Sequence, residues 1–250
     1  MLHFFPATVR SGNREKKRIA TWNVRSLLRK GKVNNVAARA ERLNLDIIGL
    51  SEVRWPGVTQ ITVGDYEMIY SGSEKHTGVA IMLKKDIERY WAVSDRVLFI
   101  KIRGSPFNIS IIQVYAPTEA HSVQEIETFY EDLDYAMKQA GSQDIKIMMG
   151  DLNAQIGQGR EGRVVGPSGL GQRNERGDRF YEWCAENEQV INKYLVQTSP
   201  KIFANMAISI ETKLTISPLT TVSEIVSNKS RPTQVQIAEV ITPLLLLRCY

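Results

Sequence analysis

The stretch that decides the fold is Ile145-Lys146-Ile147-Met148-Met149-Gly150-Asp151-Leu152-Asn153. Its largely apolar run has the length of a buried strand, and Gly150 lets the backbone turn without strain where the run ends. Asp151 and Asn153 follow directly. Polar side chains at the carboxyl end of a strand stand on one rim of a sheet, where open α/β sheets bind their ligands. The stretch therefore predicts a strand that carries functional side chains.

Outward from this stretch, short apolar runs alternate with amphipathic segments from Arg18 onward, which is typical of strands packed against helices. Seven strands are predicted, at residues 18–24, 46–51, 66–71, 78–83, 97–103, 107–115 and 145–150. The turn Gly104-Ser105-Pro106 joins two of them as a hairpin. The predicted sheet is therefore mixed rather than purely parallel.

Apolar residues at helical spacing predict three helices in the gaps between strands. The first is marked by residues 33–43, the second runs from the cap candidate Ser122 through Met137, and the third covers residues 175–187. With 250 residues, of which 43% are hydrophobic, the chain can bury one sizeable core. The simplest organisation is one α/β domain.

Charge is placed unevenly, although the net charge is only +5. Nine Lys or Arg lie between Arg10 and Lys32, against the single acid Glu15. Such a run could contact phosphates, and a solvated, partly disordered basic tail at residues 1–17 is an equally good interpretation of its first part.

Cysteine usage and hydropathy bear on location. Cys184 and Cys249 cannot form a disulfide framework, and no segment approaches the roughly 20 apolar residues of a membrane span. Cys184 is interpreted as a small buried apolar residue. We expect a protein that does not enter a membrane, in a reducing intracellular compartment, with the nucleus as a candidate location.

Polar residues end four separate apolar strands and form the candidate site. Their oxygen donors suit Mg²⁺, for which Mn²⁺ could substitute, far better than a soft metal. Asp151 could orient or deprotonate a water, while the Asn153 amide and the Tyr115 hydroxyl could hold phosphoryl oxygens. No organic cofactor is predicted. The predicted metal ligands are Glu52, Asn23, Asp151 and Asn153, and the predicted catalytic residues are Tyr115, Asp151 and Asn153.

Each of these residues also has an ordinary structural interpretation. Asn or Asp after a strand commonly belongs to a turn, a single Glu on a loop is commonly solvated, and a Tyr at a strand end is commonly a core anchor. The histidines His3, His76 and His121 are interpreted as exposed loop residues. It is the set of four strand ends that favours a site.

The spelling of these strand ends resembles the endonuclease/exonuclease/phosphatase superfamily, and specifically the endonuclease domain of non-LTR retrotransposons and the craniofacial development protein 2-like sequences. The resemblance runs from about Arg18 to Asn192. The segments that carry it are Thr21-Trp22-Asn23-Val24, Ser51-Glu52, Gln113-Val114-Tyr115-Ala116-Pro117-Thr118 and Gly150-Asp151-Leu152-Asn153-Ala154.

This resemblance implies a DNase I-like, four-layer α/β sandwich that cuts phosphodiesters in DNA with a divalent metal. It implies that Glu52 is a metal ligand, that Asn23 supports the metal or phosphate, and that Tyr115 contacts the phosphate. Asp151 would activate the nucleophilic water, with Asn153 beside the attacking group. Position 25 departs from the pattern of many repair-type members, since Arg25 stands where they carry an Asp.

The sequence changes character near Pro200, and the fold is expected to be incomplete at the C-terminus. Residues 201–250 contain no Gly, Asp, Trp or His, and the family's closing Ser-Asp-His is not spelled in frame. A one-nucleotide shift would permit Ser-Asp-His over residues 239–242 and RNKIDYI over residues 211–217. We therefore hypothesise a frameshift near residues 200–202, which the nucleotide sequence across codons 195–205 would test.

The expected domain spans residues 18–200, and residues 201–250 form a non-family tail that could pair on exposed sheet edges with little order. The predicted function is a Mg²⁺-dependent DNA endonuclease by ancestry, weak or inactive in this copy. Two alternatives remain: a non-catalytic nucleic-acid-binding remnant, and a phosphatase or lipid phosphodiesterase of the same superfamily. Site preference, oligomeric state and host role are left open by the sequence.

Overall fold

A computed structural model describes residues 16–74, 77–84, 89–104, 107–166, 171–192, 205–211, 220–222 and 238–239. The helices among them are α1 (Lys32–Arg42), α2 (Val123–Gln139) and α3 (Glu175–Glu186). The strands, in chain order, are β1 (Lys16–Asn23), β2 (Ile47–Ser51), β3 (Gly57–Val63), β4 (Tyr66–Gly72), β5 (Val79–Leu83), β6 (Arg89–Ala92), β7 (Val97–Ile102), β8 (Ile109–Tyr115), β9 (Ile145–Asp151), β10 (Val190–Asn192), β11 (Asn205–Glu211), β12 (Thr220–Val222) and β13 (Ala238–Glu239).

These strands form two sheets. The first sheet has the order β13-β11-β1-β2-β5-β4-β3, and the second has the order β10-β12-β9-β8-β7-β6. Two parallel pairs, β1 with β2 and β8 with β9, lie inside the sheets, while β7 and β8 form an antiparallel pair. The predicted hairpin and the mixed character of the sheets are therefore confirmed.

The two sheets face each other and carry helices on their outer faces. Alternate residues of the inner strands form an apolar layer between the sheets, which includes Ile19, Ile47, Ile111 and Ile147. The residues between them pack outward, against α1 on the first sheet and against α2 and α3 on the second. The order helix, sheet, sheet, helix is the four-layer α/β sandwich that the sequence predicted.

Helix α2 begins where the sequence predicted. The Ser122 hydroxyl accepts a hydrogen bond from the Glu125 backbone amide, and the Glu125 carboxylate accepts one from the Ser122 amide in return. This capping box satisfies two amides that the first helical turn leaves unpaired. It fixes the start of the helix that connects β8 to β9, and thereby the loop that follows Tyr115.

The prediction missed six of the described strands, which are β3, β6 and β10 to β13. Strands β3 and β6 lie at sheet edges and are largely exposed, so their side chains form no apolar run. From the tail, β11 pairs antiparallel with β1, and β12 lies between β9 and β10. Strand β13 pairs parallel with β11, and the rest of residues 201–250 lies outside the described residues, as do residues 1–15, His3, His76 and Cys249. Over the described part of the chain, no helix is long and apolar enough to cross a membrane.

Candidate active site at the open end of the sandwich

Strand alternation places the site side chains between the two sheets. The strand ends of β1, β2, β8 and β9 continue the inward face of their strands, because each is an even number of residues beyond an interior isoleucine. Both parallel pairs end at the same rim. The residues that share this inward face are Asn23, Ser51, Tyr115 and Asp151.

The Asn23 amide joins two carboxylates. Its Nδ2 donates to Glu52 Oε1 at 2.8 Å and to Asp151 Oδ2 at 2.7 Å. Its Oδ1 accepts from the Arg25 backbone amide at 3.0 Å, which fixes the orientation of the side chain. Since Asn23 and Glu52 belong to the first sheet and Asp151 to the second, these bonds bring acids from both sheets to one point.

The loop after β2 presents Glu52 through an uncommon backbone conformation. Glu52 and Arg54 have φ values of 56° and 62°, in the left-handed region that side chains other than glycine rarely adopt. The Val53 amide, bonded to the Gly78 carbonyl at 3.0 Å, anchors the loop between them. Arg54 Nη2 lies 2.9 Å from Glu52 Oε2, so one carboxylate oxygen faces Asn23 and the other faces a cation.

The turn after β9 presents Asp151 and Asn153. A side chain at Gly150, whose φ is 141°, would meet the Val114 carbonyl oxygen at 2.0 Å, so only glycine fits there. Asp151 Oδ1 accepts from the Asn153 amide at 3.1 Å, and Asn153 Nδ2 donates to the Ala116 carbonyl at 2.7 Å. The ordinary turn chemistry weighed in the sequence is therefore present, and it also positions the carboxylate.

Tyr115 lies beside Asp151 in the β8–β9 register. Burial, followed by the Glu52 and Asp151 carboxylates, raises the pKa of its hydroxyl to about 12. The hydroxyl is therefore protonated at neutral pH and can donate a hydrogen bond. The Arg96 guanidinium lies 5.4 Å from the centroid of the Tyr115 ring, and its Nη1 donates to the Tyr115 carbonyl at 3.3 Å.

Asp151 carries the electrostatic conflict of the site. Burial raises the pKa of its carboxyl, hydrogen bonds from Asn23 and Asn153 oppose that rise, and the nearby Glu52 carboxylate adds to it. A bound divalent cation would relieve the cost of ionising this buried carboxyl beside a second acidic side chain.

The donor set fits a hard cation with few protein ligands. Across the described ranges there is no group of three or more His, Cys, Asp or Glu side chains that could hold a metal. Mg²⁺ is commonly bound by one or two carboxylates, with waters and substrate phosphate completing its coordination. Glu52 and Asp151 supply two such carboxylates, so the residues present fit Mg²⁺ in that arrangement.

Four residues around the site were missed or misjudged in the sequence. His121 was interpreted as an exposed loop residue, and that interpretation is wrong: it is half-buried, with Nε2 at 2.9 Å from Arg96 Nη2 and Nδ1 at 2.9 Å from the Thr118 hydroxyl. Arg54 and Arg96 are cations beside the site that the sequence did not mark, and Lys32 was marked only as the end of a basic run. Lys32 Nζ donates to the Val24 carbonyl at 2.6 Å and so ties down the loop after β1. Arg54 could have been found from its position in the sequence, because it follows Glu52 by only two residues.

A family model and a curated relative both match most of this chain. The profile described as the Endonuclease/Exonuclease/phosphatase family matches residues 20–184. Craniofacial development protein 2 of Bos taurus is 36% identical over 192 residues, which cover 74% of this chain and 32% of that protein. The chain thus spans about a third of the length of this curated relative. The likeness to craniofacial development protein 2 that the sequence predicted is confirmed.

The fold is shared with a solved structure of low sequence identity. An AP endonuclease from Archaeoglobus fulgidus is 22% identical with a TM-score of 0.50, covering 68% of this chain and 70% of that one. The endonuclease domain of TRAS1, a telomere-specific non-LTR retrotransposon, is 17% identical with a TM-score of 0.49, covering 69% and 72%.

Proposed function

The chain belongs to the endonuclease/exonuclease/phosphatase family, and on that premise we propose that it is a Mg²⁺-dependent phosphodiesterase of retrotransposon ancestry that cuts DNA. The observation that carries the proposal is the single Asn23 amide that touches carboxylates from both sheets. The basic run that ends at Lys32 supports a polyanionic substrate.

The proposed roles follow from the contacts of each side chain. Glu52 and Asp151 would hold the cation, which when bound would neutralise charge on the phosphate and its departing oxygen. Asn23 would keep the two carboxylates together, since its own oxygen is engaged by the Arg25 amide. Asp151 would orient and deprotonate the attacking water, because burial raises the pKa of its carboxyl above the ordinary value and so makes its carboxylate a stronger base.

The phosphate would be held on the second sheet. Tyr115, protonated at neutral pH, would donate to a phosphoryl oxygen, and the Arg96 cation beside it would attract the anion. Asn153, held at the Ala116 carbonyl, would stand beside the attacking water. Mn²⁺ is expected to substitute for Mg²⁺, and the nucleus stays the proposed location.

The test is nicking of supercoiled plasmid DNA with Mg²⁺, comparing the full chain with Asp151→Ala. We expect slow nicking by the wild-type protein and none by Asp151→Ala, with both proteins retarding the plasmid on a gel. If neither protein nicks DNA while both still retard it, the enzyme proposal fails and a nucleic-acid-binding protein is the better assignment. The weak activity expected of this copy stays a prediction, and the same assay measures it. The out-of-frame origin expected for residues 201–250 also stays a prediction.

A further inference from the structure

Two buried polar side chains lie between the sheets directly below the site. Ser51 Oγ donates to the Val114 carbonyl at 3.0 Å, and Gln113 Nε2 donates to Ser51 Oγ at 3.0 Å. Both residues are 0% exposed. Ser51 belongs to the first sheet, whereas Gln113 and Val114 belong to the second, so the bonds cross the apolar layer. Ser51 directly precedes Glu52 in the chain, and Val114 directly precedes Tyr115.

Gln113 fits into space that a glycine leaves open. A Cβ added at Gly49 would lie 1.8 Å from Gln113 Oε1 and 2.8 Å from the terminal methyl of Met149. Gly49 lies on β2 two residues before Ser51, on the same inward face. The Gln113 amide therefore occupies the space beside the Gly49 backbone on the opposite sheet.

Stability alone does not account for an amide here. Gln113 Oε1 is buried without a hydrogen-bond partner among the residues that the structure describes. A buried polar atom without a partner is destabilising, and an apolar side chain of similar size would avoid that cost. The neighbouring positions between the sheets are apolar, as at Ile111 and Met149.

We propose that Ser51 and Gln113 are positioning residues that hold the Glu52 end of the first sheet at a fixed distance from the Tyr115 and Asp151 ends of the second. The inference rests on the proposed function for its meaning in catalysis. The physical link is short: Ser51 precedes Glu52 in the chain, and Val114 and Tyr115 pair with Gly150 and Asp151 on β9.

The Asn23 side chain reports this distance without any metal or substrate. Its Nδ2 bonds Asp151 across the gap between the sheets, at 2.7 Å. Any loosening of the two strand ends lengthens that bond and speeds exchange of the Asn23 amide hydrogens with water. Exchange at this one side chain, followed by NMR in metal-free protein, is therefore a direct readout.

The experiment compares Ser51→Ala with Ser110→Ala in the full chain. Ser110 is a matched control, because it is also 0% exposed, lies on β8 and loses a comparable bond, to Asp144 Oδ2 at 2.6 Å. We expect Asn23 amide exchange to rise about tenfold in Ser51→Ala, the effect of losing one hydrogen bond. Exchange in Ser110→Ala should stay within about twofold of wild type.

Gln113→Met keeps the test decisive if Ser51→Ala does not fold. Methionine matches the length of glutamine and leaves no buried polar atom unpaired. We expect Gln113→Met to unfold at the same or a higher temperature than wild type, while Asn23 exchange rises. Unchanged Asn23 exchange in the folded Ser51 or Gln113 variant would overturn the inference. An inactive wild-type protein would instead overturn the proposed function and leave the exchange result standing.

Discussion

Asp151 stands where a carboxylate is poorly solvated and close to a second acid. Burial comes first among the causes that raise its pKa, and the Glu52 carboxylate contributes in the same direction. An acid whose pKa is raised on folding stabilises the folded state while it is protonated, and it destabilises the folded state when it ionises. The folded protein without metal therefore loses stability as pH rises from the unfolded pKa of Asp, about 4, to the higher folded value.

Asp151→Asn should remove this pH dependence. We expect the metal-free variant at pH 7 to be at least as stable as wild type, because asparagine carries no charge to bury. The difference between the two proteins should shrink toward pH 4. Denaturant unfolding of both proteins in EDTA between pH 4 and pH 8 measures it. A variant that is about 2 kcal/mol less stable at pH 7 would contradict this account of the residue.

At the scale of elements, strand ends and helix starts were predictable where local chemistry sets them. Ser122 and Glu125 spell a capping box, and Gly150 marks the end of a buried strand; both appear as expected. The edge strands β3 and β6 were not predictable from apolar runs, because their side chains face solvent. In the sequence, Gln113 is a single polar residue in an apolar strand. The structure accounts for it, because the facing Gly49 leaves room for its amide.

Gly49→Ala should be destabilising, since its Cβ would displace the buried Gln113 amide and the terminal methyl of Met149. Overpacking of this kind costs about 1–3 kcal/mol. Removing the Gln113 amide in the double variant Gly49→Ala/Gln113→Ala should recover part of the lost stability. Unfolding free energies of the two single variants and the double variant form a cycle with an expected coupling of at least about 1 kcal/mol. Additive losses would show that the two residues do not contact each other.

At the scale of the whole molecule, the site exists because two sheets end at one rim. The sequence predicted which residues stand at the strand ends, since each follows its own apolar run. It could not predict how they pair. The bonds from Asn23 to both acids, and the Arg96–His121 contact beside Tyr115, join residues far apart in the chain. Those contacts depend on sheet order and on the packing of one sheet against the other.

The packing also explains why the site is expected to bind metal without a third acid. Asn23 donates to both carboxylates and Arg54 pairs with Glu52, so partial neutralisation comes from the protein. The negative charge that these contacts do not compensate lies between the Glu52 and Asp151 carboxylates. A cation bound there would join the two sheets through one carboxylate from each.

Titration of the full chain with Mn²⁺, followed by electron paramagnetic resonance of the free ion, tests this claim most directly. We expect one site in the wild-type protein, affinity at least about tenfold weaker in Glu52→Gln and in Asp151→Asn, and no change in the control Glu67→Gln, whose half-buried side chain on β4 accepts hydrogen bonds from Gln60 and Thr62. Equal Mn²⁺ binding by all four proteins, or none by the wild type, would contradict the account.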